Sequence, residues 1–181
     1  MNIPITIVFL FVLAWVIIAY NGFIQLANRA DEAWSDIDVA LKRRFDLIPN
    51  LVTAVKAYAK HEKTVFEDVT AARTKAMGAQ SIHDKDIADG AVKDSIGKIL
   101  AIAENYPSLM ASDDFVKLQQ ELTETEDTIA SARKYYNGTV RNLNIKIHSF
   151  PDMVIAGVAG FKPRDFFEAD EEERESVNVK V

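Results

Sequence analysis

The chain opens on a stretch without polar rhythm. Ile3 to Tyr20 reads IPITIVFLFVLAWVIIAY, 18 residues with no charge, and Asn21, Gly22, Phe23 and Ile24 extend it. The first ionic side chain is Arg29. A helix of about 20 residues spans the ~30 Å hydrocarbon core of a bilayer. Twelve of the 18 residues are Ile, Val, Leu or Phe. At roughly -0.3 to -0.6 kcal/mol each, they favour insertion by about 4 to 7 kcal/mol. A buried helix of a soluble protein usually carries a polar stripe, and none is present. A cleaved leader usually has a basic start and a small-x-small cleavage site; this segment has neither. The pattern therefore predicts a retained transmembrane anchor over residues 1–24.

From Phe23 the apolar positions take a helical step. Phe23, Leu26, Ala30, Trp34, Ile37, Leu41, Phe45 and Ile48 follow one another by three or four residues. No Gly or Pro lies between Gly22 and Pro49, so the first helix of the body can continue directly from the span. Asp46 reads as the N-cap of a corner, with Pro49 in the first turn of the next helix, where its missing N–H costs nothing. That helix is expected to run to about Met77, with Gly78 as its stop. Residues 78–91 are polar and acidic, and their structure is left open. Val92, Ile96, Ile99, Leu100 and Ala103 mark a third helix ending at Pro107. Ser112 caps a long fourth helix through Ile147, and Asp152 caps a short apolar one from Met153 to Val158, before Gly160. The fold class implied is all-α: an N-terminal transmembrane helix followed by an elongated antiparallel helical bundle over residues 25–165. The charged residues 166–181 read as a mobile acidic tail. Its last three, Val179-Lys180-Val181, have the alternation that could add to a partner's sheet edge.

Charge adds orientation. Met1 and Asn2 carry no Lys or Arg, whereas Arg29, Lys42, Arg43 and Arg44 follow the span. The positive-inside rule then places the C-terminal domain in the cytoplasm and the N-terminus outside the inner membrane. Across the whole chain, 21 Lys and Arg face 27 Asp and Glu, a net charge of -6. That balance argues against nucleic acid as a partner, because phosphate binding needs a basic surface.

Composition removes most catalytic chemistries. There is no cysteine, so thiolate sites and a Cys nucleophile are excluded. His61-Glu62 begins like a zinc-protease motif, but Lys63-Thr64-Val65 follows and the second histidine is missing. Neither His61 nor His148 has a Glu three residues before it, as a di-iron bundle would need. His83 and His148 read as ordinary surface or helix-end residues. Neither a Gly-rich phosphate loop nor a nucleophile elbow occurs. No cofactor is expected and the chain is read as a non-enzyme.

The chemistry-bearing residues that remain are arginines. Arg43, Arg44, Arg73 and Arg133 would be costly inside a bundle unless each met a carboxylate. Asp46, Glu62, Asp68, Glu124 and Glu126 are available. Two readings stand: an ion-pair and capping network that fixes helix register, or a patch that binds an acidic partner or lipid headgroup. Arg133 is expected to contact an acid on the second helix.

These residues lie in segments that resemble the LemA family. The run Arg43-Arg44-Phe45-Asp46-Leu47-Ile48-Pro49-Asn50-Leu51-Val52 is similar to its hallmark, and VKAYAKHE follows at Val55 to Glu62. Trp34 to Val39 precede it. An AR-x-x-YN element covers Ala132 to Asn137, including Arg133, Tyr136 and Asn137. SFP and GF elements follow at Ser149 to Pro151 and at Gly160 to Phe161. One position departs: Leu143-Asn144 stands where a second Tyr-Asn is common. The resemblance implies one N-terminal membrane span and a cytoplasmic all-α bundle, with no established catalytic activity.

The function expected is therefore a scaffold or adaptor that holds a protein partner at the bilayer. The alternative is a self-associating protein that organises the membrane. Ala19 and Gly22, small residues three apart, are the weak signal for that homo-oligomer. An enzyme with an unrecognised site is the third reading.

Overall fold

The computed structural model describes residues 3–167. They form six helices: α1 (Ile3–Lys56), α2 (Lys63–Gly78), α3 (Ile82–Ala103), α4 (Pro107–Met110), α5 (Asp113–His148) and α6 (Asp152–Ala159). No strand occurs among the described residues. The chain is all-α, with a long apolar N-terminal helix leading into a helical domain. The expected acidic tail beyond Phe167, with its terminal valine alternation, lies outside the described residues.

α1 departs from the pattern expected of it. No corner forms at Asp46, and Pro49 is not in a first turn: α1 is one unbroken helix of 54 residues with Pro49 inside it. Two features carry the helix across the proline: packing, and a bond that Arg73 of α2 donates to the Phe45 carbonyl. Phe45, Ile48, Leu51 and Val55 form a buried stripe on both sides of Pro49, so packing holds the helix. Asp46 is exposed and pairs with Lys42, 2.9 Å away on the same helix, instead of capping a new one. The real break comes later, between Lys56 and Lys63, where no Gly or Pro marks it. There the amides of Tyr58 and Ala59 both bond to the Val55 carbonyl, at 3.0 and 2.9 Å, and Ala59 is buried.

The region left open in sequence folds as the start of α3. Ser81 accepts a bond from the Asp84 amide at 3.0 Å, and its hydroxyl donates to the Asp84 carboxylate at 2.6 Å. Ser81 is thus the N-cap of α3, held by a residue three positions on. Pro107 opens α4 as well as following α3. Ser112 caps α5 as expected, accepting from Phe115 N at 3.4 Å. Asp152 occupies the first turn of α6 without making a cap bond. Gly160 ends α6 with φ +77°, a left-handed conformation that glycine adopts without a Cβ penalty.

The chain divides into two compact units, each drawing on α1 and α5. One contains α1 to Asp36 together with Ala132–Phe166; the other contains Ile37–Ser131 and Phe167. In the first, Phe23, Leu143, Ile147 and Ala156 form a core, with Leu26, Ile155 and Phe161 packed against it. The indole of Trp34 lies 5.8 Å from the Tyr136 ring. Numbers rise along α1 from Phe23 to Trp34 as they fall along α5 from Ile147 to Tyr136, so these segments run in opposite directions. In the second unit, Ile37, Leu51, Val69, Val92, Ile99 and Phe115 are buried. Asp38 pairs with Lys85 and Arg44 with Asp89, so numbers rise together along α1 and α3.

α1 carries the one helix among the described residues that is long and apolar enough to cross a membrane. Most side chains between Ile5 and Ile18 are exposed, although they are apolar. That is the reverse of what a soluble core helix shows.

Candidate functional site: a buried arginine cluster and a backbone clamp

Within the second unit, Arg44 is the largest fully buried side chain, 2% exposed. It arrives there because residues 41, 44, 45 and 48 share the inward face of α1. Its guanidinium forks between two elements. Nη1 donates to Asp89 Oδ1 on α3 at 2.7 Å, and Asp89 is itself 4% exposed. Nη2 donates to Glu126 on α5. Lys93 Nζ stands 3.6 Å from the other Glu126 oxygen. Two cations and two carboxylates thus balance at the meeting of α1, α3 and α5. A planar fork suits this geometry where an ammonium would not. Glu126 was among the acids anticipated. Asp89 was not, because it sits in the stretch whose structure the pattern left open.

Arg73 makes the second contact of this region. Its Nε donates to the Phe45 carbonyl at 2.7 Å, and its Nη2 lies 3.9 Å from Asp46. Arg43, Pro49 and Asn50 are exposed on α1. The structure therefore gathers Arg44, Arg73 and Asp46 at contacts between helices and leaves Arg43 and Asn50 on the surface.

Within the first unit the Tyr136-Asn137 element sits under the segment that follows α6. Tyr136 is buried, and its hydroxyl donates to the Asp165 carbonyl at 3.1 Å. Burial pushes the phenol above its usual value; the Arg164 charge opposes this, and Asp165 and Asp31 add to it. Arg133 and Asn137 are half-buried on the same stretch of α5.

Asn144 is the residue sequence reasoning undervalued. Its side-chain amide donates to the Arg164 carbonyl at 2.9 Å, and its oxygen accepts from the Arg164 amide at 3.0 Å. One side chain thus satisfies both backbone groups of residue 164. Arg164 continues to α1, where Nη1 meets Asp31 at 2.5 Å. The hydrogen bond that Arg164 donates to Asp31 raises the Arg164 pKa, with burial opposing it. Leu143, in place of the tyrosine common at that position, fills the core beside Phe23. The signal that could have found the clamp was the pairing of an amide side chain with an irregular charged segment around Pro163.

Gly22, weighed for self-association, lies against a side chain of the chain's own α5. A Cβ on Gly22 would lie 2.9 Å from Lys146 Nζ, so the chain's own α5 occupies that face. Ala19 is also buried.

A groove of about 830 Å³ opens between the end of α1 and α2. Val52, Phe66 and Ala71 contribute apolar surface, and Lys56, Lys60, Lys63 and Lys75 rim it beside Glu67. Among the described residues no group of three or more His, Asp or Glu is placed to hold a metal ion.

Comparison with known proteins adds relatives. "Magnetosome protein MamQ 2" of Paramagnetospirillum magneticum is 26% identical over 182 residues, covering 86% of this chain and 67% of that protein. "Magnetosome protein MamQ" of Magnetospirillum gryphiswaldense is 27% identical over 174 residues, covering 82% of this chain and 64% of the relative. The chain thus spans about two thirds of the length of these relatives. "Protein LemA" of Metamycoplasma hominis is 26% identical over 160 residues, with 88% of this chain and 73% of that protein covered. The LemA family pattern matches residues 33–181, which takes in the arginine cluster and the clamp. With its apolar leading helix, the chain is a membrane-associated helical protein, and it belongs to the LemA family.

Proposed function

We propose that this protein is a single-pass membrane scaffold whose helical domain docks a protein partner at the cytoplasmic face. One observation carries the reading: the groove between α1 and α2 combines an apolar floor with four rim lysines in a chain whose net charge is -6. Local positive charge against a global negative balance favours an acidic, amphipathic segment over a random protein surface. The Arg44 cluster supports the same role from inside. With both terminal nitrogens taken by carboxylates, Arg44 holds three helices in register and is not available to a substrate. The cytoplasmic side follows from the lysine and arginine bias after the span.

The test compares crosslinked neighbours of the full-length chain in cells with those of a variant carrying Lys56→Glu, Lys60→Glu, Lys63→Glu and Lys75→Glu. Loss of a neighbour that carries an acidic amphipathic segment supports the reading. An unchanged set of neighbours overturns it.

A further inference from the structure

The exposed apolar residues of the first unit are not confined to the membrane span. Phe150 is 82% exposed and Val158 88%, and between them Met153 and Val154 are also exposed. All lie within nine residues on or beside α6. Scattered apolar residues on a surface need no explanation, but a run on one short helix does.

The position of α6 along α1 supplies one. Ala156 and Ile155 on its inner face pack with Phe23 and Leu26 of α1. Phe161, just after it, stacks on Phe23 with ring centroids 4.9 Å apart and touches Tyr20 at 5.9 Å. Phe23 lies three residues past Tyr20, about 4.5 Å along a helix axis. Tyr20 ends the uncharged stretch, where aromatic residues settle at the bilayer surface. α6 therefore stands where the span leaves the hydrocarbon.

The polar groups fit that level. Lys146 is neutralised by Asp152 at 3.2 Å and sits over the Phe23 ring at 5.1 Å. Lys162, after the helix, is exposed and free to meet anionic headgroups.

We propose that α6 and Phe150 form a second membrane contact, an interfacial helix whose outer side chains enter the lipid headgroup and upper acyl region beside the span. Short apolar helices of this kind sink about 5–10 Å below the headgroups. The contact would fix the tilt and rotation of α1 where it leaves the bilayer, which a lone span leaves unspecified. The inference rests on α1 crossing the bilayer.

The absence of cysteine makes the test direct. Single variants Val158→Cys, Phe150→Cys, Phe9→Cys and Glu104→Cys of the full-length chain are labelled with an environment-sensitive fluorophore. Each is placed in phosphatidylcholine–phosphatidylglycerol vesicles, with and without lipids bearing a doxyl quencher near the headgroup. Labels at 158 and 150 are expected to be quenched by doxyl lipid and protected from aqueous iodide by about threefold or more relative to 104, as burial below the headgroups requires. Iodide access at 158 equal to that at 104, with the label at 9 quenched by lipid, overturns the interfacial helix and leaves the anchor standing. Protection from iodide at 158 without quenching by lipid also overturns it, because protein is then the cover. A label at 9 that lipid does not quench overturns the anchor and the inference together.

Discussion

Arg73 supplies the hydrogen bond that Pro49 cannot. In an α-helix the carbonyl of residue 45 is served by the amide of residue 49, and proline has none. Arg73 reaches from α2 and donates its Nε to the Phe45 oxygen at 2.7 Å. A side chain from the neighbouring helix thus replaces a backbone bond, which lets α1 pass through a residue that would otherwise end it.

This relationship predicts a coupling. Arg73→Met is expected to destabilise the fold by about 1–3 kcal/mol, because the Phe45 carbonyl then lacks its donor. In a Pro49→Ala background the restored amide serves that carbonyl, and the same Arg73→Met change should cost at least about 1 kcal/mol less. Denaturant unfolding of the four proteins measures the cycle. Equal costs in both backgrounds would show that the bond does not compensate for the proline.

The Arg44 cluster predicts an asymmetry between deletion and replacement. Arg44→Ala leaves the Asp89 carboxylate buried with no guanidinium, at an expected cost of about 3–5 kcal/mol. Replacing both partners, Arg44→Met with Asp89→Leu, should recover most of that loss, because no buried charge remains. Melting temperatures of the single and double variants decide the matter; a double variant no better than Arg44→Ala would refute it.

Asn144 predicts a local effect. Asn144→Ala removes both bonds to residue 164, and a net of about 1 kcal/mol per bond implies an order of magnitude or more in opening of that segment. Hydrogen exchange at the Arg164 amide should quicken accordingly, while amides in α3 stay unchanged. Protection at Arg164 that survives the substitution would assign the ordering of that segment to other contacts.

Tyr136 predicts an alkaline limb in the stability profile. Its phenol is raised by burial above the ordinary value near 10. The folded state therefore holds the proton more tightly than the unfolded chain. That contribution is fully present below the ordinary tyrosine value and fades as pH rises through the higher folded value. Tyr136→Phe should flatten stability across this alkaline range while losing the bond to Asp165. Unfolding midpoints measured from neutral to strongly alkaline pH report the slope, and an unchanged slope in the variant would exclude Tyr136 as its source.

Much of the helical plan was readable before any coordinates. The uncharged stretch to Tyr20 has no polar stripe, and the three- and four-residue steps from Phe23 onward identify a buried face at the scale of single turns. The capping potential of Ser112 and the stop at Gly78 are local properties, settled within a few residues. The pair Ser81 and Asp84 was equally local and equally readable, although the acidic surroundings obscured it.

What the sequence could not determine depends on residues far apart in the chain. Pro49 carries the same local penalty wherever it stands; the buried stripe that spans it and the arrival of Arg73, 28 residues away from Phe45, turned an expected corner into continuous helix. Arg44 had several acids to choose from, and packing selected Asp89 and Glu126 because both fall on faces turned toward it. The neighbour of Gly22 within the chain, Lys146 of α5, is 124 residues away in sequence. Local patterning sets where helices form, since caps and apolar periodicity act over one or two turns. Which charges become partners is decided by tertiary contact, since a buried ion is tolerated only where another helix delivers its counter-ion.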